Sequence, residues 1–472
     1  MTESSEAGGL HRLAAVDLQA LYARRQLSPV EVTKAIIDRI DSINPRVNAF
    51  AVLDPEAALA DARASEERWR QGRPLSSIDG VPTTIKDTIL AKGWPTLCGS
   101  LALEPGDDPW DTDAPSTARL REGGAVLLGK TTMSEFGVSA VTESGRHGIT
   151  RNPWNLDYSP GGSSGGAVVA AALGFGPMHV SSDGGGSTRV PASLTGVIGF
   201  MPSFGRIPQF PENYQGTRFH IGINTRSVKD AAILLSMLAQ PDPRDWQALP
   251  PDRHNWAQGL EQGIKGLRIA FCPSLGSDPV DKTVGSVVNT GVQYLERLGA
   301  TVELVAPTWT NHTACHRILG SVAMARLVAS LHPERRKLID PTIISRAEEA
   351  SAIDAVTYVS ALEQRASIGR QMLQFHQSFD LLVTPVTTFA DLTVGGGGGA
   401  RFSQTNLFNM THQPACSVPC GLSPEGRPIG IQIVGAKYAD AIVLRAAYAL
   451  ELANPFPQPP ESWHQDGNRL TP

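Results

Sequence analysis

Three short segments of this chain carry residue types that can act on a carbonyl. The first ends in a lysine, Gly80-Val81-Pro82-Thr83-Thr84-Ile85-Lys86-Asp87. The second is a glycine-serine cluster, Pro160-Gly161-Gly162-Ser163-Ser164-Gly165-Gly166. The third runs Ser182-Asp183-Gly184-Gly185-Gly186-Ser187-Thr188-Arg189-Val190-Pro191-Ala192. Between them they offer a nucleophile, a relay hydroxyl, a base and a set of backbone N–H donors. None of the three contains histidine, so serine chemistry here would be driven by an amine instead of an imidazole.

Each segment also has a plainer reading. Three glycines before Ser187 let successive N–H groups point into one concavity, which suits the oxyanion of a tetrahedral intermediate. A tight turn between a strand at 178–181 and a following helix explains Gly-Gly-Gly-Ser equally well. Around Ser163 and Ser164, a phosphate cradle would need a following Gly-Lys-Ser/Thr, which is missing. Gly162-Ser163-Ser164-Gly165-Gly166 formally fits a nucleophile elbow with Ser164 at its tip. An elbow needs a buried strand before it, and residues 155–160 do not read as one. A helix does follow, so Gly165 and Gly166 would open its first turn with N–H groups to spare. Lys86 closes an apolar-leaning run. Burial there would lower its pKa and leave a neutral amine able to accept a proton. The alternative is a surface lysine paired with Asp87.

These segments need a scaffold, and the flanking patterns supply one. Ser28-Pro29-Val30-Glu31 has the form of a capping box with proline at the first helical position, and apolar residues recur at helical spacing to about residue 43. A second helix is expected over 55–70. From residue 78 short apolar runs alternate with helical stretches. Strands are expected at 81–85, 125–129, 178–181, 267–272, 301–305, 380–384 and 429–434, and helices over 164–173, 279–298 and 440–453. This alternation predicts a layered α/β fold around a central mixed, mostly parallel sheet. Residues 306–378 lack strand-like runs and read as a helical region over one face. The chain divides on this reading into an N-terminal helical segment (1–75), a catalytic core (76–305), that helical cap (306–378) and a C-terminal part of the core (379–472), all one domain. Gly395 to Gly399 reads as a loop, either a lid or a tolerated surface excursion.

Composition narrows the partners. The 472 residues are 41% hydrophobic and 18% charged, as in globular proteins with a large core. With a net charge of −5 and no run of lysine or arginine, neither nucleic acid nor an anionic membrane is expected as a partner. No stretch of about 18 apolar residues occurs. The five cysteines are unevenly spaced without a Cys-x-x-Cys, which points away from disulfides and zinc and toward a reducing cytoplasm. Cys416 and Cys420 read as buried thiols, with half a metal site as their alternative.

Taken together, the three segments resemble the amidase signature family of serine hydrolases. Gly129-Lys130-Thr131-Thr132-Met133-Ser134-Glu135-Phe136, Arg151-Asn152-Pro153-Trp154-Asn155, Gln413-Pro414-Ala415 and Gly430-Ile431-Gln432-Ile433-Val434-Gly435 extend the likeness. It runs from about residue 12 to 455. The resemblance implies a Ser–cis-Ser–Lys triad: Ser187 as nucleophile, Ser163 as the bridging serine on a cis Gly162–Ser163 peptide, and Lys86 as base. It further implies an oxyanion hole from the N–H groups of Gly184, Gly185, Gly186 and Ser187, with no metal and no cofactor. A homodimer is its implication for assembly.

The chain departs from that pattern in two places. Family members often carry Gly-Thr-Asp where Ser181-Ser182-Asp183 stands. The Ser182 hydroxyl keeps a possible bond to the bridging serine, and Gly184 makes the hole more flexible. Members that serve in the transfer-RNA-linked amidotransferase usually have a Ser-Leu-Asp-like segment before Gly-Pro. Here the region reads Thr217-Arg218-Phe219-His220-Ile221-Gly222-Ile223-Asn224-Thr225. The expectation is therefore a stand-alone amidase acting on a small or medium amide, with aryl-amides and carbamates as candidates. The alternatives are a glutaminase-type amidotransferase subunit or a non-catalytic scaffold. Arg189 reads as structural, with carboxylate recognition as its other reading. Pocket residues are expected near 136–140, 206–222, 308–378 and the glycine loop. Phe136, Phe204, Phe210, Phe219, Phe389 and Phe402 suggest a neutral, partly hydrophobic substrate.

Overall fold

One sheet threads nearly the whole chain. The computed structural model describes residues 9–252, 254–275, 278–396 and 404–460. The strands are β1 (Phe50–Leu53), β2 (Pro82–Lys86), β3 (Val126–Thr131), β4 (Glu143–Ser144), β5 (Gly148–Ile149), β6 (Met178–Asp183), β7 (Ile198–Met201), β8 (His220–Thr225), β9 (Arg268–Phe271), β10 (Thr301–Leu304), β11 (Leu381–Pro385), β12 (Ala415–Leu422) and β13 (Pro428–Gly435). Apart from the small β4–β5 ribbon, they form an 11-stranded sheet in the order β1-β3-β2-β6-β8-β7-β12-β13-β11-β9-β10.

The sheet is mixed. Parallel pairing falls in two blocks, β3-β2-β6 and β11-β9-β10. An antiparallel middle through β8, β7, β12 and β13 joins them. The expected strands and helices are present, including the capping box of Pro29–Val47, in which the Ser28 side chain and Glu31 reciprocate. Strands β1, β7, β8 and β12 add to those expected.

Strand alternation buries both faces. Ile85, Leu127, Ile223, Ile269, Leu381, Val383, Ile431 and Ile433 enter one core, together with Leu234 and Leu235 of the helix Val228–Leu238, Val284 and Val288 of Lys282–Arg297, and Leu444 and Leu450 of Asp440–Ala453. Their neighbours point the other way. Val126 and Leu128 pack with the helices Pro29–Val47 and Gly165–Leu173. Ala270, Leu382 and Val434 pack with Ile368, Met372 and Phe375 of the helix Ala355–Ser378. The expected helical region is present as Thr313–Ser330, Pro333–Arg336, Pro341–Glu348 and Ala355–Ser378. Among the described residues, no helix is long and apolar enough to cross a membrane. Of the expected glycine loop, Gly395 and Gly396 are described; the rest of it, with Phe402, lies outside the described residues.

The helix Gly165–Leu173 is pressed directly onto the sheet. A Cβ at Gly166 would stand 2.5 Å from the Ala49 carbonyl oxygen and 2.5 Å from Thr132 Oγ1. Gly166→Ala is expected to destabilise the protein by about 1–3 kcal/mol through overpacking, read as a lower urea midpoint than wild type. An unchanged midpoint would show that the helix can move off the strand ends freely.

Candidate active site

Alternation along β2 sends Ile85 into one core and Thr84 and Lys86 to the opposite face. Thr84 bonds His179 there at 2.8 Å. Lys86 is the last residue of β2, flanked by β3 and β6, and none of it is exposed. Its Nζ lies 2.7 Å from Ser163 Oγ, 2.8 Å from Ser164 Oγ and 2.9 Å from Ser182 Oγ. Burial pushes the amine down to about 7, with Asp183 opposing part of the shift. Asp87 is not its partner. That carboxylate holds the buried Lys130 at 3.2 Å and His147 at 3.1 Å, which removes the reading of Lys86 as a surface lysine paired with Asp87.

The hydroxyl hydrogens decide where a proton can move. Ser164 Oγ donates to the Ser182 carbonyl at 3.1 Å, so it can only accept from Lys86. The lone pair of a neutral Lys86 is left for Ser163 or Ser182. Of these, Ser163 Oγ lies 3.3 Å from the Cβ position of Gly137, a residue lining the cleft that holds Ser187. Ser163 is thus the hydroxyl between the amine and the cleft. The peptide Gly162–Ser163 is cis. With both its functions occupied and no histidine bonded to it, Ser164 is not the tip of a nucleophile elbow. The expected bond from Ser182 to Ser163 is also absent among the described residues, because the Ser182 hydroxyl serves Lys86 directly.

Ser187 is 5% exposed and ends the glycine run after β6. Its carbonyl accepts from Ser164 N–H at 3.3 Å, tying the two loops together. Its hydroxyl has no hydrogen-bond partner among the described residues, so no bond links Ser163 to Ser187 there. The loop is shaped by Asp183. Its carboxylate accepts from Gly186 N–H at 2.6 Å and Thr188 N–H at 3.1 Å, and pairs with Arg189 through Nε at 3.0 Å and Nη2 at 2.9 Å. Burial alone would raise Asp183, but Arg189 holds it well below the usual carboxylate range.

Two expectations change here. Gly186 commits its N–H to Asp183, which leaves Gly184, Gly185 and Ser187, all lining the cleft, as the candidate donors. Gly165 and Gly166 likewise commit theirs, to Thr142 Oγ1 and the Thr132 carbonyl. Arg189 is structural: its remaining N–H groups go to the Thr405 carbonyl, Gln432 and Asn409. A Cβ at Gly184 would meet only the end of the flexible Gln215 side chain, which can swing aside.

The cleft, of ≈ 80 Å³, is lined by Gly137, Val138, Gly184, Gly185, Ser187, Tyr214, Gln215, Arg218, His316, Gly320, Met324 and Arg346. These come from three of the four regions expected to supply the pocket. They are more cationic than the expected neutral pocket, because nothing in the sequence pattern marks Arg218, His316 or Arg346 as lining residues. Arg218 sits in the very segment that departs from the amidotransferase pattern. Phe136, Phe210 and Phe219 line a second cavity of ≈ 530 Å³, which also includes Tyr214. Phe204 stacks on His412 instead, and Phe389 packs beside Val190 and Leu194. Cys416 and Cys420 are free, buried thiols, and no cluster of metal-ligating side chains exists among the described residues.

Known proteins match this chain along most of its length. The amidase family model covers residues 31–444. An acylamidase from Rhodococcus erythropolis is 34% identical over 97% of this chain and 98% of its own. A glutamyl-tRNA(Gln) amidotransferase subunit from Moorella thermoacetica is 32% identical over 95% of this chain and 98% of its own. The crystal structure of a bacterial aryl acylamidase superposes with a TM-score of 0.88 at 29% identity, covering 97% of this chain and 99% of that one.

Asp183→Asn would leave Arg189 buried without its counter-charge. The expected loss is about 3–5 kcal/mol in stability, measured by denaturant unfolding. A loss under about 1 kcal/mol would mean that the pair does not hold the loop.

Proposed function

The chain belongs to the amidase signature family of amide-hydrolysing enzymes, and from that premise we propose that it is a stand-alone amidohydrolase working through a Ser187 acyl-enzyme. The observation that carries this reading is Lys86 Nζ, wholly buried and bonded to three serine hydroxyls. Neutral Lys86 takes the Ser163 proton as Ser163 takes that of Ser187. Ser187 Oγ then adds to the amide carbonyl. The N–H groups of Gly184, Gly185 and Ser187 receive the oxyanion. As the tetrahedral adduct collapses, the relay runs in reverse and protonates the leaving nitrogen. An ester to Ser187 remains and an amine departs. Water, deprotonated by the same relay, attacks that ester and releases the carboxylic acid. The sum is amide plus water giving acid plus amine.

The ≈ 530 Å³ cavity that shares Tyr214 with the cleft as a lining residue has room for an aryl or alkyl group. Aryl-amides and carbamates are therefore the compounds to screen first. Free thiols among the described residues fit a reducing compartment such as the cytoplasm. Similarity to amidotransferase subunits favours a second reading, a glutaminase acting with partner chains. The departure at residues 217–225 weighs against it. Amide hydrolysis by the isolated chain, without partner chains, separates the two.

Labelling with a fluorophosphonate followed by peptide mapping is expected to give one adduct, on Ser187. Lys86→Ala should slow that labelling by about 10³-fold or more. An adduct on Ser164 would overturn the assignment. The pH dependence has a definite sign. Only the neutral amine accepts a proton, so below pH ~7 activity should rise nearly tenfold per unit, then level off toward alkaline pH. A kcat/KM optimum near pH 5 would rule out Lys86 as the base.

A further inference from the structure

Arg218 is the anomaly of the cleft. It is 4% exposed, yet only one hydrogen bond is made by its guanidinium among the described residues, from Nη2 to the Leu319 carbonyl at 3.2 Å. It forms no ion pair there. Burial pushes it down from its ordinary value. Tyr214, Tyr358 and Cys315 pull slightly the other way, while Arg346 adds its like charge to the effect of burial; no carboxylate is among the groups that act on it. Arg346, on the helix Pro341–Glu348, is exposed, lines the same cleft and has neither ion pair nor hydrogen bond among the described residues. One buried and one exposed guanidinium therefore line the cleft with Ser187, neither with a counter-charge among those residues. The other titratable lining residues are His316, which burial holds well below its ordinary value, and Tyr214, which burial pushes up.

A buried guanidinium with unused donors is unfavourable unless something negative completes it. Arginine's planar fork also favours a carboxylate over a neutral acceptor. Arg189, in the same loop system, shows what completion looks like in this protein: a carboxylate on two donors and carbonyl-type oxygens on the rest. Among the described residues no Asp or Glu lines the cleft, so an ammonium group brought in with the carboxylate would find no counter-charge.

We propose that the amide hydrolysed here carries a carboxylate, seated by Arg218 and Arg346 while the scissile carbonyl lies on Ser187, and carries no ammonium group. This rests on the amidohydrolase reading and names its substrate class. The carboxylate belongs either to the acyl part, as in a dicarboxylic acid monoamide, or to the amine part, as in an N-acyl amino acid. The charge recognised is the same.

The test uses matched pairs. Glutaramate is compared with pentanamide for the acyl side, and N-acetylglycine with N-ethylacetamide for the amine side; glutamine differs from glutaramate by its ammonium group alone. The expected result is a kcat/KM at least about tenfold higher for the anion in one of the pairs. Glutamine should trail glutaramate by a similar factor, and Arg346→Gln should shrink the anion-to-neutral ratio about tenfold. Equal or better turnover of both neutral amides, or a ratio unmoved by Arg346→Gln, overturns the proposal. Calorimetry on Ser187→Ala separates it from the reaction. That variant should bind glutaramate or N-acetylglycine more tightly than the neutral counterpart, and no such preference overturns the proposal even if the enzyme turns over. Failure of Ser187 to take a fluorophosphonate would instead sink the amidohydrolase reading, with the binding preference still standing.

Discussion

The site depends on keeping one amine buried, hydrogen-bonded and unpaired with a carboxylate. A lysine in a dry interior loses several kcal/mol of hydration if it stays charged, and a neighbouring carboxylate would restore the charge. Lys86 is surrounded instead by three hydroxyls. These satisfy its hydrogens while stabilising the cation far less than a carboxylate would. The strand order follows from this need. Ser182 comes from β6, the strand next to β2, and Ser163 and Ser164 arrive on the loop that starts the helix packed across the strand ends.

The nearby carboxylates are each tied elsewhere. Asp87, next in sequence, is held by Lys130 and His147. Asp183 is close enough to oppose the lowering of Lys86, but Arg189 and two backbone N–H groups occupy its oxygens. That pairing has a second effect. By drawing Gly186 N–H inward, it turns the glycine run so that Ser187 ends at the cleft. One buried ion pair thus both occupies the carboxylate nearest Lys86 and shapes the loop that carries Ser187.

Much of this is readable from the sequence, and the gaps have physical causes. Lys86, Ser163 and Ser187 stand out because glycine-serine clusters and a lysine closing an apolar run are uncommon patterns. Strand β8 is less visible. Ile221 and Ile223 alternate correctly, but Gly222 between them faces Thr188, where a Cβ would come within 2.0 Å of the threonine hydroxyl. Close packing of Thr188, the residue after Ser187, on that strand leaves room only for glycine at 222 and interrupts the apolar pattern. Strand β12 hides behind Pro419, beside which its pairing with β13 shifts register. The loss of Gly186 as an oxyanion donor has no signal at all, because it depends on which way one aspartate turns.

The cleft arginines explain why residue type alone misleads. Arg189 and Arg218 are both buried, and from the sequence Arg189 reads as structural, with carboxylate recognition as its other reading, while nothing marks Arg218. Counting hydrogen bonds separates them. Arg189 has every donor engaged and a carboxylate already bound, so nothing remains for a ligand. Arg218 has one carbonyl and a like charge for a neighbour. A fold that satisfies Asp183 and Asp87 so fully and leaves Arg218 incomplete gives that incompleteness to the substrate. The same arrangement that keeps carboxylates away from Lys86 leaves Arg218 and Arg346 lining the cleft, so a substrate's negative charge can be drawn to the arginines and not to the buried amine.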